Sequence, residues 1–483
     1  MALRRPWAGN SLARGECASG VSLTWRLLAI LAFVAPIRAQ ETRPEATSRP
    51  RYQVLRYDED WRYLAEPARR ADLFDPLKYI RLGADDRFLS IGGDLRERYE
   101  IYHDRDFGTA PADHDGQLLQ RYMLHADLHD GESFRLFAQI KACPVFDGEV
   151  DQDPNDKDDL DLHQAFADLV VPLERGRLTL RAGRQELAYG SQRLVSVRDG
   201  PNVRRSFDVG RAILEAGTWR VDGFVGRPVE VDSGFFDDGP IDDESFWGLY
   251  STGPVRGGLR ADVYYLGLDR HGATFEQGTR NELRHSIGTR AFGEVSGLDY
   301  NFEALVQWGE FGSGEIRGWT VASDTGFTFE DFPLSPRLGL KANVQSGDRD
   351  PDDSSLETFN PLFPRGKYFG ETGTLGPVNL RDLHPTLRVH PTDRVTIDLG
   401  WVIYWRQSLD DGVYDNGTNL LSPGSGARER FIGSEISFTL DWSLGRHVSV
   451  GAAYGHFFDG PFLQEVGAGR DIDYGSATFT FRF

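Results

Sequence analysis

From Phe88 onward, apolar and polar residues alternate with a period of two, not the 3.6 of a helix. Leu338, Leu340, Ala342 and Val344 alternate with Arg337, Gly339, Lys341, Asn343 and Gln345. Tyr300, Phe302, Ala304, Val306 and Trp308 repeat the pattern, as do Ile397, Leu399, Trp401, Ile403 and Trp405, and then Ile432, Ile436, Phe438 and Leu440. Each run lasts about 10–13 residues, longer than the ~5–6 of a soluble strand and close to the ~9–11 with which a tilted strand crosses a bilayer. Strands are predicted to start near Leu89, Leu118, Phe134, Asp161, Leu178, Val203, Trp219, Ser245, Leu259, Arg284, Tyr300, Ile316, Arg337, Asn379, Val395, Arg430, His447 and Asp473. The phase is poorest near Gly183 and Gly210. Gly475, Ala477, Phe479, Phe481 and Phe483 alternate with Ser476, Thr478, Thr480 and Arg482, as in a closing strand paired with the first.

The pattern has a physical cause. Hydrocarbon offers no partner to a free N–H or C=O, so a sheet in a bilayer must close on itself. One face of each strand then meets lipid and the other an aqueous lumen. The expected fold is all-β, a transmembrane antiparallel β-barrel of about 18 strands, wide enough for an aqueous channel. Trp401, Trp405 and Trp442 suit interfacial girdles. Ahead of the barrel, Arg4, Arg5, Arg14 and Arg26 precede the apolar run Leu27 to Ile37, which is too short to span a membrane. The expected organisation is a signal peptide at 1–39, cut after Ala39, a periplasmic segment at 40–87, and the barrel at 88–483. The middle segment carries Trp61, Leu64, Leu73, Leu77, Tyr79 and Ile80 and is a candidate cover for the periplasmic mouth.

Composition narrows the function. The 483 residues hold 54 Lys+Arg against 74 Asp+Glu, a net charge of −20, which argues against nucleic acid as a partner. Cys17 falls in the leader, so Cys143 has no disulfide partner. Gly-x-Ser-x-Gly, a phosphate-binding loop and His-Glu-x-x-His are all absent from the sequence. His125 and His129 lie four apart on a strand, roughly 13 Å, too far to share a metal. The expectation is therefore no enzyme, no catalytic residue and no cofactor. Asp151, Asp153 and Asn155, and Asp348, Asp350 and Asp352, lack the Gly and Glu of an EF-hand loop. They leave open only a looser divalent cation site in outer loops. Long polar connections run from Phe146 to Leu160, Gly347 to Val378 and Ser408 to Ala427. The second is either a constriction folded into the mouth or an exposed loop.

The polar face is charged. Its expected basic members are Arg96, Arg98, Arg121, Arg135, Lys141, Arg260, Arg284, Arg290, Arg337, Lys341, Arg406 and Arg482. Its expected acids are Asp94, Glu100, Asp127, Asp262, Glu303, Asp398, Glu435 and Asp441. Basic groups outnumber acids here, although the chain as a whole is acidic. Rings of Arg and Lys in a narrow pore select anions.

Several blocks, in order, resemble the alginate export family of outer-membrane proteins. They are Asp58-Glu-Asp-Trp61, Asp75-Pro-Leu-Lys-Tyr-Ile80, Gly93-Asp-Leu-Arg-Glu-Arg98, Ala182-Gly-Arg-Gln-Glu186, Tyr189-Gly190, Arg205-Ser-Phe-Asp208, Gly347-Asp348, Thr358-Phe-Asn-Pro-Leu-Phe-Pro364 and Asp411-Gly-Val-Tyr414. The resemblance implies an 18-stranded barrel whose electropositive constriction passes a polyuronate. It places Arg96, Arg98 and Arg184 in a basic lumen, with Arg193, Arg204 and Arg205 as looser candidates. The expected function is diffusion of an anionic polysaccharide through the bacterial outer membrane. The alternatives are a porin taking up small organic anions or aromatic compounds, and a non-conducting structural or adhesive barrel. The expected partners are the anionic polysaccharide or small anionic solute, outer-membrane lipid, the barrel-assembly machinery and periplasmic export proteins.

Overall fold

Eighteen long antiparallel strands follow one another in space in chain order. They are β1 (Arg87–His103), β2 (His114–Asp130), β3 (Phe134–Cys143), β4 (Asp158–Leu173), β5 (Gly176–Gln185), β6 (Phe207–Ala216), β7 (Trp219–Glu230), β8 (Glu244–Arg256) and β9 (Leu259–Phe275). The second half is β10 (Gly278–Val295), β11 (Leu298–Phe311), β12 (Trp319–Thr328), β13 (Arg337–Gln345), β14 (Leu380–Thr392), β15 (Val395–Arg406), β16 (Phe431–Ser443), β17 (Val448–Asp459) and β18 (Ile472–Arg482). β18 pairs with β1, Asp94 opposite Arg482 through His103 opposite Asp473, and the ring is closed. This computed structural model describes residues 49–83, 86–110, 114–146 and 155–483. The expected signal segment, Asp151 and Asp153 lie outside the described residues.

Closure leaves no edge, and the residue parity sorts lipid from lumen. Leu338, Leu340, Leu399, Trp401, Ile436, Phe302 and Val306 are exposed on the outer face. Between them in sequence, Glu303, Gln307, Asn343 and Glu435 are buried inside. A charge placed on the outer face at mid-height must be desolvated by lipid. Leu340→Arg is expected to destabilise the barrel by about 2–4 kcal/mol, read from denaturant titration in lipid vesicles, whereas the same change next door at Lys341 is neutral.

The ends differ. One side carries tight turns such as Gly217-Thr218, Gly257-Gly258 and Ser296-Gly297. Ser296 and Gly297 both take positive φ (50° and 81°), the turn whose twist matches two paired strands. The other side carries the long loops.

Three expected strand positions move. Arg284 lies well inside β10, which already begins at Gly278. Val203 belongs to the loop preceding β6, and Ile316 to a short ribbon, Gly314–Ile316, ahead of β12. Ile432 is also not on the lipid face. A bulge sets Tyr404 opposite Gly433 and Trp405 opposite Phe431, and Ile432 is buried among Val402, Tyr404 and Phe457.

Residues 49–83 close the turn side. Their Ile80–Arg81 ribbon pairs with Leu89 and Phe88 of β1. The Arg56 guanidinium donates to the carbonyl oxygens of Gly93 (3.1 Å) and Phe483 (2.9 Å) and to Glu59 (2.7 Å). A Cβ at Gly92 has no room, because the Lys78 ammonium and the His125 ring occupy that space. Tyr57 reaches deeper. Its ring packs edge-on against Phe137 and Phe166, and its hydroxyl donates to the Glu186 carbonyl at 2.8 Å.

Candidate functional site: the charged lumen

Two loops fold into the barrel, residues 186–206 and 346–379. They carry apolar side chains inward because they meet an apolar patch of wall. Leu187, Leu194, Val195, Phe359 and Phe363 pack against Phe207, Val209, Phe224, Phe246, Leu266 and Leu268. The inner face there is oily, so both faces of these strands read as apolar and the alternation loses phase. The 346–379 segment, left open by the sequence, is therefore an inward constriction.

Three groups fasten it, and a fourth, Arg406, fastens the neighbouring loop between β15 and β16. Glu435 accepts from the amides of Glu371 (2.5 Å) and Thr372 (3.1 Å) and from the Thr372 hydroxyl (2.7 Å). Asn379 donates to the carbonyls of Ser408, Asp411 and Gly412. Asp411 accepts from the Asp348 amide (2.8 Å) and the hydroxyls of Thr358 (2.7 Å) and Tyr414 (2.6 Å). Arg406 is buried completely and donates to loop carbonyls of Leu409 (2.9 Å), Ala427 (3.1 Å) and Glu429 (2.6 Å). Arg406 and Glu435, expected to line the pore, thus face inward but hold loops.

Burial raises the Asp411 carboxyl to about 6. Burial, reinforced by the charge of Asp411, raises Asp348 to about 7. Both sit above the ordinary carboxylate value of 3.8, so the folded loop binds protons more tightly than an opened one. The resulting stabilisation is complete below about pH 4 and lost as pH rises through 7. A spin label at Ser354→Cys is expected to be less mobile near pH 5 than near pH 8, with a smaller difference in Asp348→Asn.

The remaining predicted residues divide by partner. Most face the lumen in ion pairs: Arg121 with Asp199 (2.7 Å), Arg193 with Glu303 (3.2 Å), Arg204 with Glu186 (2.7 Å), and Arg290 with Asp262 (2.9 Å). Arg135 pairs with Asp127 (2.7 Å), Arg284 with Glu282 (2.5 Å) and Arg337 with Asp299 (2.5 Å). Asp398 is held by Arg388 (2.7 Å) and Asp94 lies 3.5 Å from Arg56. Glu100 accepts from Gln117 (3.0 Å) and Tyr474 (3.1 Å). Burial alone lifts a carboxyl, but Arg121, Arg204 and Arg96 together hold Asp199 well below the usual range. Arg184 does not join the lumen. It has the parity of exposed Leu180 and Ala182, opposite to that of buried Arg181, and it forks onto Asp208 (2.9 Å) beneath the 231–243 loop. The lumen position of Arg184 came from the family resemblance alone, and the phase slip at Gly183 hid the buried Arg181–Asp168 pair (2.7 Å).

A smaller set forms no ion pair among the described residues, although Arg96 shares the field of Asp199 with Arg121 and Arg204. Arg96 donates to the carbonyls of Asp199 (2.8 Å) and Pro201 (2.9 Å), and Arg98 to that of Gly200 (2.6 Å). Arg205 donates to the Pro364 carbonyl (3.3 Å) over the Phe363 ring, and Arg365 to the Tyr368 carbonyl (3.2 Å). Lys341 makes no ion pair among the described residues. Carbonyl oxygens orient a guanidinium without neutralising it. Arg98, Arg205 and Lys367, the last paired with Glu371 (3.1 Å), line a cavity of about 340 Å³ on the loop side, shared with Glu100, Arg105 and Asp156. Arg365 and Lys367 were not foreseen, because the direction of a loop leaves no periodic trace. Facing this set, β12–β18 present small inward residues, including Gly339, Gly400, Ser437, Gly451, Ser476 and Thr478.

Among the described residues, the Asp348–Asp352 carboxylates do not assemble as a cation site. Asp348 and Asp350 accept from amides two residues on (both 3.2 Å), so they face their own backbone. Asp161, Asp237 and Asp238 do gather within 4.8 Å, but the Lys141 ammonium already lies 2.6 Å from Asp238 and 2.7 Å from Asp158.

A closed cylinder, oily outside and charged within, constricted by loops, defines a bacterial outer-membrane channel, and not an enzyme. The chain belongs to the alginate export family, whose sequence profile matches residues 87–474. Among similar solved structures are OccAB1 of Acinetobacter baumannii (12% identity, 84% of this chain and 99% of that one, TM-score 0.57) and OccD3 (OpdP) of Pseudomonas aeruginosa (12%, 82% and 91%, 0.56). OccAB3 of Acinetobacter baumannii is similar as well (10%, 82% and 99%, 0.56). A search of curated proteins found no match.

Proposed function

We propose that the channel passes an anionic polysaccharide of the polyuronate type outward, down its gradient. One observation carries this reading: Arg98, Arg205, Arg365 and Lys341 present cationic groups that pair with no carboxylate among the described residues. Guanidinium forks match carboxylates and keep their charge at any physiological pH. A polymer sliding past them exchanges one carboxylate for the next, and the small hydroxyl and glycine wall of β12–β18 leaves room for its rings. With no nucleotide-binding motif in the sequence, directionality comes from periplasmic export partners that feed the polymer. The barrel itself is delivered by the assembly machinery, which reads the terminal aromatic strand.

A second reading, uptake of small organic anions, is favoured by size: the loop-side cavity is only about 340 Å³. Planar-bilayer recording separates the two. Oligouronates longer than a few residues are expected to block the chloride current and then clear it at higher voltage. Free passage of a monocarboxylate with no effect of the oligomer overturns the polysaccharide reading.

A further inference from the structure

The outer wall, away from the lumen, carries a basic pair of its own. On β14 the outward side chains run Arg381, Leu383, Pro385, Leu387 and Val389, and the outward set of β15, from Trp405 to Val395, is apolar throughout. Arg381 stands opposite Val344 on one side and Trp405 on the other. It therefore caps the lipid-facing band at its loop-side margin, the height of headgroups and of interfacial aromatics. The bulge that pairs Trp405 with Phe431 (ring centroids 6.0 Å apart) brings Arg430 alongside. Both guanidiniums converge on one acceptor, the Gln407 carbonyl, Arg430 at 2.6 Å and Arg381 at 3.5 Å, and Arg430 also donates to the Arg406 carbonyl at 2.7 Å. Neither arginine forms an ion pair among the described residues. Burial, and then the like charge of Arg381, hold Arg430 below the ordinary arginine value. Arg381 is exposed, and the N–H groups that the carbonyls leave over on Arg430 stay accessible. On the same strands, nearer mid-height, the lipid-facing wall holds a groove of about 510 Å³ lined by Leu338, Leu387, Leu399, Trp401, Ile436 and Phe438. From Arg381 to Leu387 along β14 is roughly 20 Å at ~3.3 Å per residue, a span that the sugar and acyl chain of one lipid cover.

We infer that Arg381 and Arg430 clamp a phosphate of the phosphorylated glycolipid of the outer leaflet, with one of its acyl chains laid along the groove. Position and chemistry select this ligand together. Long loops mark the outer face of such barrels, so the leaflet at this height is the outer one. Two like charges held side by side without an acid are relieved by an anion shared between them. A phosphate monoester brings nearly two negative charges and three acceptor oxygens, enough for two guanidinium forks at once. The apolar groove below takes what a free anion lacks, a hydrocarbon tail. The clamp also steadies the base of the 407–430 loop, because both arginines hold its first carbonyl. The site lies outside the pore, and its test is independent of what the pore carries.

The test is native mass spectrometry of the folded protein in detergent, titrated with bis-phosphorylated lipid A, dephosphorylated lipid A or phosphatidylglycerol, with inorganic phosphate as competitor. Lipid A is expected to bind at least tenfold more tightly than its dephosphorylated form or phosphatidylglycerol, and a large excess of inorganic phosphate is expected to leave it in place. Arg381→Gln and Arg430→Gln together are expected to weaken lipid A binding at least tenfold. Arg394→Gln, an exposed arginine at the turn-side end of the same hairpin, is expected to leave it unchanged. Leu399→Trp, which fills the groove, is expected to weaken it as well, while the heat-modifiable gel shift of a folded barrel persists in every variant. Equal binding of dephosphorylated lipid A, wild-type binding by the paired variant, or an equal loss in Arg394→Gln overturns the clamp. Displacement by inorganic phosphate assigns the arginines to a soluble anion and overturns the lipid, and tighter binding of phosphatidylglycerol overturns the outer-leaflet assignment. Unaltered binding in Leu399→Trp overturns the seating of the chain.

Discussion

Neutralising Arg98, Arg205, Lys341 and Arg365 together is expected to turn an anion-preferring pore into a cation-preferring one. The substitutions Arg98→Gln, Arg205→Gln, Lys341→Met and Arg365→Gln keep side-chain bulk and remove four positive charges. Elsewhere in the lumen, charges come in close pairs such as Arg290–Asp262 (2.9 Å) and Arg135–Asp127 (2.7 Å), whose fields largely cancel along the path. What a passing ion feels is the unpaired remainder. In the wild-type protein that remainder is basic. In the variant it is dominated by Glu100 and Asp441, acids that make no ion pair among the described residues. The reversal potential under a salt gradient measures the change. It is expected to cross zero near 0.1 M KCl, where the screening length is ~10 Å, and to shrink near 1 M, where it is ~3 Å. Unchanged anion selectivity at low salt removes these four groups from the conduction path.

Glu435→Ala is expected to release the constriction and raise single-channel conductance several-fold. Three donors converge on this carboxylate, at 2.5, 2.7 and 3.1 Å, and Gly370 packs against it with no space for a side chain. Hydrogen bonds to a charged group contribute about 1.5–3 kcal/mol each, so their loss weakens the anchorage by on the order of 5 kcal/mol. Asn379 and Asp411 still hold the two ends of the loop, which confines the movement to its tip. Protease should then cut near Arg365 and Lys367 in the variant and spare the wild-type protein. The barrel, whose ladder does not involve this carboxylate, should keep its resistance to denaturant. An unaltered conductance with a protected loop refutes the latch.

The legible part of the molecule is the part with a repeat. Phe134, Trp219, Leu259, Arg337 and Val395 begin strands in the structure as they do in the sequence reading. Arg96, Arg98, Arg121, Arg290 and Lys341 face the lumen for the same reason, since in a strand the parity of a residue decides its face. Where a wall is apolar on both sides, parity carries no signal. Val209, Phe224 and Leu266 are buried under the 186–206 loop, and in that stretch of the ring the inward Arg181 leaves no trace in the alternation, while Arg184, which the resemblance puts in the lumen, has the opposite parity.

Alternation, strand length and the terminal aromatic run, each the direct imprint of a bilayer that solvates no free peptide group, were enough to dictate a closed barrel with a charged interior. Which of those charges remain active was settled only when the chain folded. Arg406 and Arg98 share an inward parity, yet one is sealed among loop carbonyls and the other opens on a cavity. The difference lies in contacts between residues more than a hundred positions apart, such as Tyr57 with Glu186 or Arg96 with Pro201. Lipid acts on every strand alike and so writes a periodic pattern, whereas a loop or terminal segment enters the lumen through unique long-range contacts that leave no pattern to read.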